Sequence, residues 1–256
     1  MEFISPIDYA KDSVLAVQEY WQLSMRALGN IFRQPRYLAD AVMQADIIGV
    51  GSLPIVVLTG LSIGASLALQ TSDTLQRFGS LSLTGQVVSL SMVREIGPVL
   101  TGLMVCGRNA SGMASELGSM KVTEQIDAMR ALGTDPLKKL VTPRLMATTV
   151  MLFFLTIISD LFGLVGGFLV AHLMLGLDSS QYWTTAYQSL GHSDIEMGLL
   201  KPLVFGFLIA TVGCYYGLSA RGGTQGVGRA TTQAVVAASV LILVADFFLT
   251  RLLMIV

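Results

Sequence analysis

The sequence predicts an all-α integral membrane protein: an N-terminal interfacial amphipathic helix, five transmembrane helices, and a short cytoplasmic helix between spans two and three. Three observations predict it. Of 256 residues, 53% are hydrophobic and only 13% charged, against roughly 25% charged in soluble domains; the mean hydropathy is +0.67. Five apolar runs are long enough to cross a hydrocarbon core of about 30 Å. Most basic residues fall in three segments, 1–44, 121–144 and 221–229. The chain therefore divides into an N-terminal region, 1–44, and a five-helix domain, 45–256.

The first element is not a span, because charges interrupt it every few positions. From 7 to 32, Val14, Leu15, Trp21, Met25, Leu28 and Phe32 recur at helical spacing, with Lys11, Glu19 and Arg26 elsewhere on the wheel. An amphipathic helix carrying Trp on its apolar face tends to lie in the membrane interface; the alternative is a soluble helix packed on a partner. Arg33, Pro35 and Arg36 are expected to end it. No cleavable signal peptide is evident, since the first 20 residues carry Glu2, Asp8, Lys11, Asp12 and Glu19 and lack an apolar core.

Span one is 47–69, uncharged throughout, with a kink expected at Pro54 and a Gly60/Gly64 pair that permits close helix approach. Residues 70–86 read as a polar loop or short re-entrant piece. Span two, 87–120, contains Arg94, Glu95, Arg108 and Glu116. Its small residues form two rows, Gly107/Ser111/Ser115 and Ala110/Ala114/Gly118, which places it in the middle of the bundle. Residues 121–144 are polar, with an apolar stripe of Val122, Ile126, Met129 and Leu132; Gly133 and Pro136 end that helix.

Span three, 145–177, is about 50 Å long if wholly helical, so it must tilt, kink or protrude. Asp160 lies near its middle and His172 near its end. Residues 178–201, with Tyr182, Trp183 and Tyr187, read as an interfacial helix outside the membrane. Span four is 202–220, followed by a Gly-rich turn, 221–229. Span five is 230–256, with Asp246 and Arg251 in its second half.

Orientation follows from the basic residues. Lys11, Arg26, Arg33, Arg36, the five of 121–144, and Arg221 and Arg229 all fall on one side; Arg77, Lys201 and Arg251 fall on the other. The N-terminus is then cytoplasmic and the C-terminus external.

Several functions are excluded. A net charge of -1 offers no basic surface for nucleic acid. Cys106 and Cys214 sit singly in apolar runs and read as packing residues, not a disulfide or metal site. Only two histidines, His172 and His192, are present, neither in a catalytic motif. The glycines of 223–228 are spaced like a phosphate loop, but Arg229 and Ala230 stand where Lys and Ser/Thr are required. No catalytic residue, metal site or ATPase site is therefore expected in this chain.

The informative residues are the charges inside the spans. A charge at the bilayer centre costs several kcal/mol unless paired or wetted. Arg94 and Glu95 lie about eight residues into span two, immediately before Gly97-Pro98, where the missing proline donor can open the helix. A charged pair beside a helix break points to a cavity for a polar head group, although a position at the membrane boundary would also accommodate it. Arg108 and Glu116 are about 12 Å apart along the axis and are read as gating or packing residues paired to other helices. Asp160 and Asp246 are read likewise, with a proton relay as the alternative.

The string VREIGPVLTGLMVCGRNASGMASELGSMKVTEQIDAMRALGTDP resembles the signature of the MlaE-type (YrbE-like) permeases, the membrane subunits of lipid-transporting ABC systems that work with an MCE-domain partner. The similarity extends over nearly all of 40–256, including GVGRATTQAVVAASVLILVADFFLT near the end. It implies a homodimer in the bacterial inner membrane, two ABC ATPase subunits that bind the ATP and magnesium, an MCE hexamer and a small STAS-type protein. The implied cargo is phospholipid moved between inner and outer membrane, maintaining outer-membrane asymmetry. It also implies that 123–132 is the coupling helix, with Val122, Thr123, Glu124, Ile126, Asp127, Met129 and Arg130 meeting the ATPase. Met92, Arg94, Glu95 and Pro98 become the expected lipid-binding set. On this reading ATP-driven closure pushes on Val122, Ile126 and Met129, and Arg94 pairs with phosphate. Asp160 departs from the family pattern. The alternative function is a proton-coupled secondary transporter of an amphipathic substrate using Asp160, Asp246 and Arg94; the absence of an internal repeat argues against it.

Overall fold

The computed structural model describes residues 6–34 and 37–253, and among these there are nine α-helices and no strand. They are α1 (Pro6–Asn30), α2 (Leu38–Arg77), α3 (Thr84–Ser91), α4 (Gly97–Val122), α5 (Gln125–Ala131), α6 (Thr142–Leu173), α7 (Ser179–Ser189), α8 (His192–Leu218) and α9 (Gly223–Leu253). Five helical segments are long and apolar enough to cross a membrane: α2, the segment Leu81–Val122, the segment Leu137–Leu173, α8 and α9. Residues 38–44, grouped with the N-terminal region on sequence, belong to α2.

α1 docks through its small face. Ser24 and Ala27 are buried, and the Tyr20 and Thr211 hydroxyls lie 2.9 Å apart, tying α1 to α8. Its apolar stripe, from Val14 and Leu15 through Trp21 to Phe32, faces outward. Of the residues expected to end this helix, Arg33 follows it, while Pro35 and Arg36 lie outside the described residues.

α2 and α6 form the closest helix pair. A Cβ on Gly60 would come within 2.6 Å of the Ser159 carbonyl, one on Gly64 would overlap the backbone of Gly163, and one on Gly166 that of Leu61. The Gly60/Gly64 pair is thus a contact between backbones, which in lipid takes the place of the hydrophobic drive. α4 meets α8 similarly: Gly213 packs on Ala110 and Gly217 on Ala114. These join Val105, Cys106, Leu155, Phe205, Ile209 and Ile242 in a central core. Only the Ala110/Ala114/Gly118 row is buried; Gly107 and Ser115 of the other row are exposed.

Four expected boundaries are corrected. The loop at 70–86 is mostly helical: α2 continues to Arg77, because Thr71 and Ser72 return their hydroxyls to the Leu67 and Leu69 carbonyls at 2.8 and 2.7 Å. Those residues are polar in sequence but satisfied within the helix. The third span begins at Leu137, not 145, so Arg144 lies inside the bundle. The interfacial segment 178–201 ends early; only α7 is separate, and α8 starts at His192, so Lys201 is buried with Pro202 inside the helix. The Gly-rich stretch is the first turns of α9, not a flexible turn. Its glycines allow close return, since a Cβ on Gly226 would overlap the Arg221 carbonyl. For span five, α9 is described to Leu253 and residues 254–256 lie outside the described residues.

α7 closes the end opposite to Lys121. Asp178 caps it by accepting from the Ser180 amide at 3.0 Å. Tyr182 is buried, donates to the Leu164 carbonyl at 3.0 Å, and has its phenol pushed up by burial. Trp183, Phe168 and His172 cluster with it, and Tyr187 is exposed, an aromatic belt of the kind found at membrane surfaces.

Candidate functional site: a charged cluster at a π-turn

The second span is continuous but not uniform. Between α3 and α4, Met92–Ile96 forms one π-helical turn, in which the Gly97 amide donates to the Met92 carbonyl. The cause is local. Pro98 has no N–H, so the Arg94 carbonyl lacks its donor four residues on. Widening the turn relieves the clash between the proline ring and that carbonyl but leaves the oxygen to be satisfied elsewhere. The same device recurs at Leu137–Val141, immediately before Thr142-Pro143.

Lys201 on α8 supplies the missing donor. Its ammonium donates to the Arg94 carbonyl at 2.9 Å and to Glu95 Oε2 at 2.6 Å, and pairs with Asp246 Oδ1 on α9 at 3.0 Å. Lys201 is 1% exposed. A buried ammonium is tolerated only with partners of this number and geometry. Thr250 adds a hydroxyl donor to Glu95 Oε1 at 3.1 Å. On the same turn Arg94 Nε donates to Asp194 Oδ1 at 2.6 Å, and a second guanidinium nitrogen pairs with that oxygen. Asp194 is held in turn by the Gly191 amide at 2.9 Å.

The cluster thus joins α8 and α9 to the π-turn. It contains two cations and three carboxylates, and one side of it is open: the side chains of Arg94 and Glu95 are each 41% exposed, against 5% for Asp194. Arg94 spends only part of its donor fork on Asp194, and the remainder can meet a further acceptor. Chemically this is a charged, partly open cluster in apolar surroundings, and among its described residues there is no nucleophile–base pair. Among the described residues no group of His, Cys, Asp or Glu could hold a metal ion.

The other expected site residues distribute differently. Met92 and Pro98, expected to bind lipid, are buried; Met92 packs on Gly163 beside Ala68, Val88 and Val170. Their side chains shape the π-turn and do not reach its open side. Asp160 lies against Gly97, and among the described residues it has no ion pair and its Oδ1 no hydrogen-bond partner. Glu116 pairs with Arg144 of α6 at 2.8 Å, and Arg108 donates to Ser52 Oγ at 3.0 Å and to the Ile47 carbonyl at 3.3 Å on α2. Sequence reasoning missed Lys201 and Asp194, which it placed in an external segment, and Arg144, which it placed on a polar surface. A usable signal existed for Lys201: a lysine directly before proline, in register with an apolar helix.

The expected coupling helix is shorter than read, Gln125–Ala131, and begins after Glu124 in the left-handed conformation, φ 59°. Its apolar stripe divides: Ile126 and Met129 point inward, whereas Val122 and Leu132 are exposed. Ile126 is fully buried with Leu117, Leu140, Val141 and Leu145, and Met129 packs against the same group. A residue holding the helix to its own bundle cannot also be the surface a partner pushes on. The outward face is Thr123, Glu124, Asp127, Arg130 and Leu132, with Val122 at its edge; Leu132 is 83% exposed. Asp127 is paired with Lys121 at 3.3 Å and Arg130 at 3.1 Å.

A family model described as Permease MlaE matches residues 41–252. A probable ABC transporter permease protein of Rickettsia felis is 43% identical over 237 residues, covering 93% of this chain and 92% of that protein. A probable ABC transporter permease protein of Synechocystis is 37% identical over 214 residues, 84% of this chain and 81% of the relative. The intermembrane phospholipid transport system permease protein MlaE of Haemophilus influenzae is 36% identical over 213 residues, 83% and 82% of the two chains.

Proposed function

The chain belongs to the MlaE permease family, a transport subunit and not itself an enzyme, and from that premise we propose that it is the membrane subunit of an ATP-driven transporter of phospholipid. The observation that carries the reading is the cluster of Arg94, Glu95, Lys201 and Asp246 at a π-turn within an otherwise apolar bundle. Its open side has a cation with spare donors for a phosphate and a carboxylate for an amine. The apolar flanks suit acyl chains.

On this reading two copies face each other across the cavity that Arg94 and Glu95 line. ABC ATPase subunits bind ATP and magnesium and dock on the outward face of 123–132, through Glu124, Asp127, Arg130 and Leu132. An MCE-domain hexamer and a small STAS-type protein complete the assembly in the bacterial inner membrane, with the N-terminus cytoplasmic and the C-terminus periplasmic. Lipid exchanged with the outer membrane maintains that membrane's asymmetry. The π-turn is the mobile joint: a helix already opened at Pro98 can change its bend without breaking further backbone bonds.

The test is affinity purification of the tagged chain from its native cell in mild detergent, with mass spectrometry of what co-purifies. Recovery of an ABC ATPase and an MCE-domain protein supports the reading. Recovery of the chain alone and monodisperse overturns it. A second reading, a proton-coupled transporter, draws on Asp160, a span carboxylate without an ion-pair partner among the described residues; it requires cargo movement by the isolated chain under a pH gradient, lost in Asp160→Asn.

A further inference from the structure

A second polar site lies about 20 Å from the first along α4. Arg94, Arg144 and Lys201 each have a carboxylate partner. Arg108 has none among the described residues; its guanidinium reaches only neutral acceptors of α2 and is otherwise exposed. The next residue, Asn109, is 6% exposed, and its Nδ2 has no hydrogen-bond partner among the described residues. Both line one groove between α2 and α4, about 240 Å³, with Ile47, Gly112, Met113 and Glu116. The groove sits level with Ile47, where the uncharged run of the first span begins, so it is at head-group depth on the side of the basic segments.

Arg108, a cation with no carboxylate partner among the described residues, opens onto this groove, and the buried amide donor of Asn109 lies unused in its wall. We propose that this groove binds the phosphodiester of a membrane phospholipid from the leaflet on the basic side. The phosphate accepts from Arg108, and from Asn109 once its amide turns toward the groove, and the apolar wall of Ile47 and Met113 takes the start of an acyl chain. Glu116, whose carboxylate is 55% exposed although paired with Arg144, stands at the groove's other end, where a head-group amine would reach. The site is separate from the Lys201 cluster, and its existence does not depend on what drives transport.

The test reads lipid retained by the delipidated full-length chain in native mass spectrometry, in an Arg94→Gln background so that the first cluster contributes least. The probes are phosphatidylethanolamine, diacylglycerol as the phosphate-free control, and inorganic phosphate as the free anion. The expected result is a phosphatidylethanolamine adduct weakened roughly tenfold by Arg108→Gln or Asn109→Ala, the loss of a charge-assisted bond, and partly restored by Arg108→Lys. Gly112→Leu should remove the adduct with an unchanged melting temperature, because a Cβ at Gly112 meets nothing within 4 Å and the side chain fills only the groove; this variant carries the test if Arg108→Gln proves unstable. An unchanged adduct in Gly112→Leu, or equal retention of diacylglycerol, overturns the proposal. Displacement by millimolar inorganic phosphate overturns the lipid as the source of the phosphate.

Discussion

Lys201 stands where Pro98 cannot: its ammonium donates to the Arg94 carbonyl at 2.9 Å, the oxygen to which proline offers no N–H. A defect in one helix is thereby repaired by a side chain of another. The same ammonium holds Glu95 and Asp246. Backbone opening and charge cluster are therefore one feature, and a change at either residue is felt at both.

Lys201→Met removes that repair. Two carboxylates and a carbonyl lose their donor; because Glu95 is 41% and Asp246 20% exposed, water screens part of the loss and the cost falls below the ~3–5 kcal/mol of a fully buried pair. The thermal midpoint in detergent should fall, and Lys201→Met combined with Asp246→Leu should recover part of the loss, because fewer uncompensated charges remain. Equal midpoints for wild type and the single variant would contradict the structural role given to Lys201.

The α2–α6 contact admits no side chain at Gly64. Gly64→Ala forces the backbones apart and should destabilise by about 1–3 kcal/mol, as overpacking does. Gly107→Ala is the control: its Cβ meets nothing within 4 Å, and alanine favours the helix by up to about 1 kcal/mol. Denaturant titration of both variants decides it, and a Gly64→Ala protein as stable as Gly107→Ala would refute the close crossing.

Ile126 and Leu132 separate anchoring from docking. Ile126→Ala should cost about 2–5 kcal/mol, the range for truncating a buried aliphatic side chain. Leu132→Ser should leave stability within about 0.5 kcal/mol of wild type while weakening co-purification of the ATPase. If Ile126→Ala melts normally and Leu132→Ser retains its partner fully, the division into an inward Ile126 and an outward Leu132 is wrongly assigned.

Glu124 occupies a left-handed conformation that costs a side-chain-bearing residue roughly 1–2 kcal/mol. Glycine pays no such cost but loses more chain entropy, so Glu124→Gly should be neutral or stabilising by up to about 1 kcal/mol. Glu124→Val should be destabilising, since β-branched residues fit φ 59° worst. Calorimetry of the pair gives the sign directly; a loss in Glu124→Gly matching that in Glu124→Val counts against the strain.

The sequence by itself determined the class of the molecule. Five apolar lengths set five long helices, because lipid leaves a backbone no alternative to internal hydrogen bonding. Gly97-Pro98 announced an opened helix beside Arg94 and Glu95, and the GxxxG pair announced a close crossing, because each rests on a local steric rule. What remained illegible was which polar residues were polar in place. Thr71 and Ser72 looked like loop and are helix, since their hydroxyls are satisfied one turn back. Ile126 looked like a docking surface and is an anchor, since a stripe shows that it is buried but not against what.

Only the tertiary structure decided the site. Glu95, Lys201 and Asp246 are separated by 106 and 45 residues of chain and meet because α8 and α9 both pack on the π-turn. Lys201 in isolation is a charge that should avoid a membrane, and linear spacing cannot reveal the two carboxylates and the orphan carbonyl that make its burial tolerable. A buried charge is defined by its partners, and those partners are fixed by how helices cross, not by the order in which they are written.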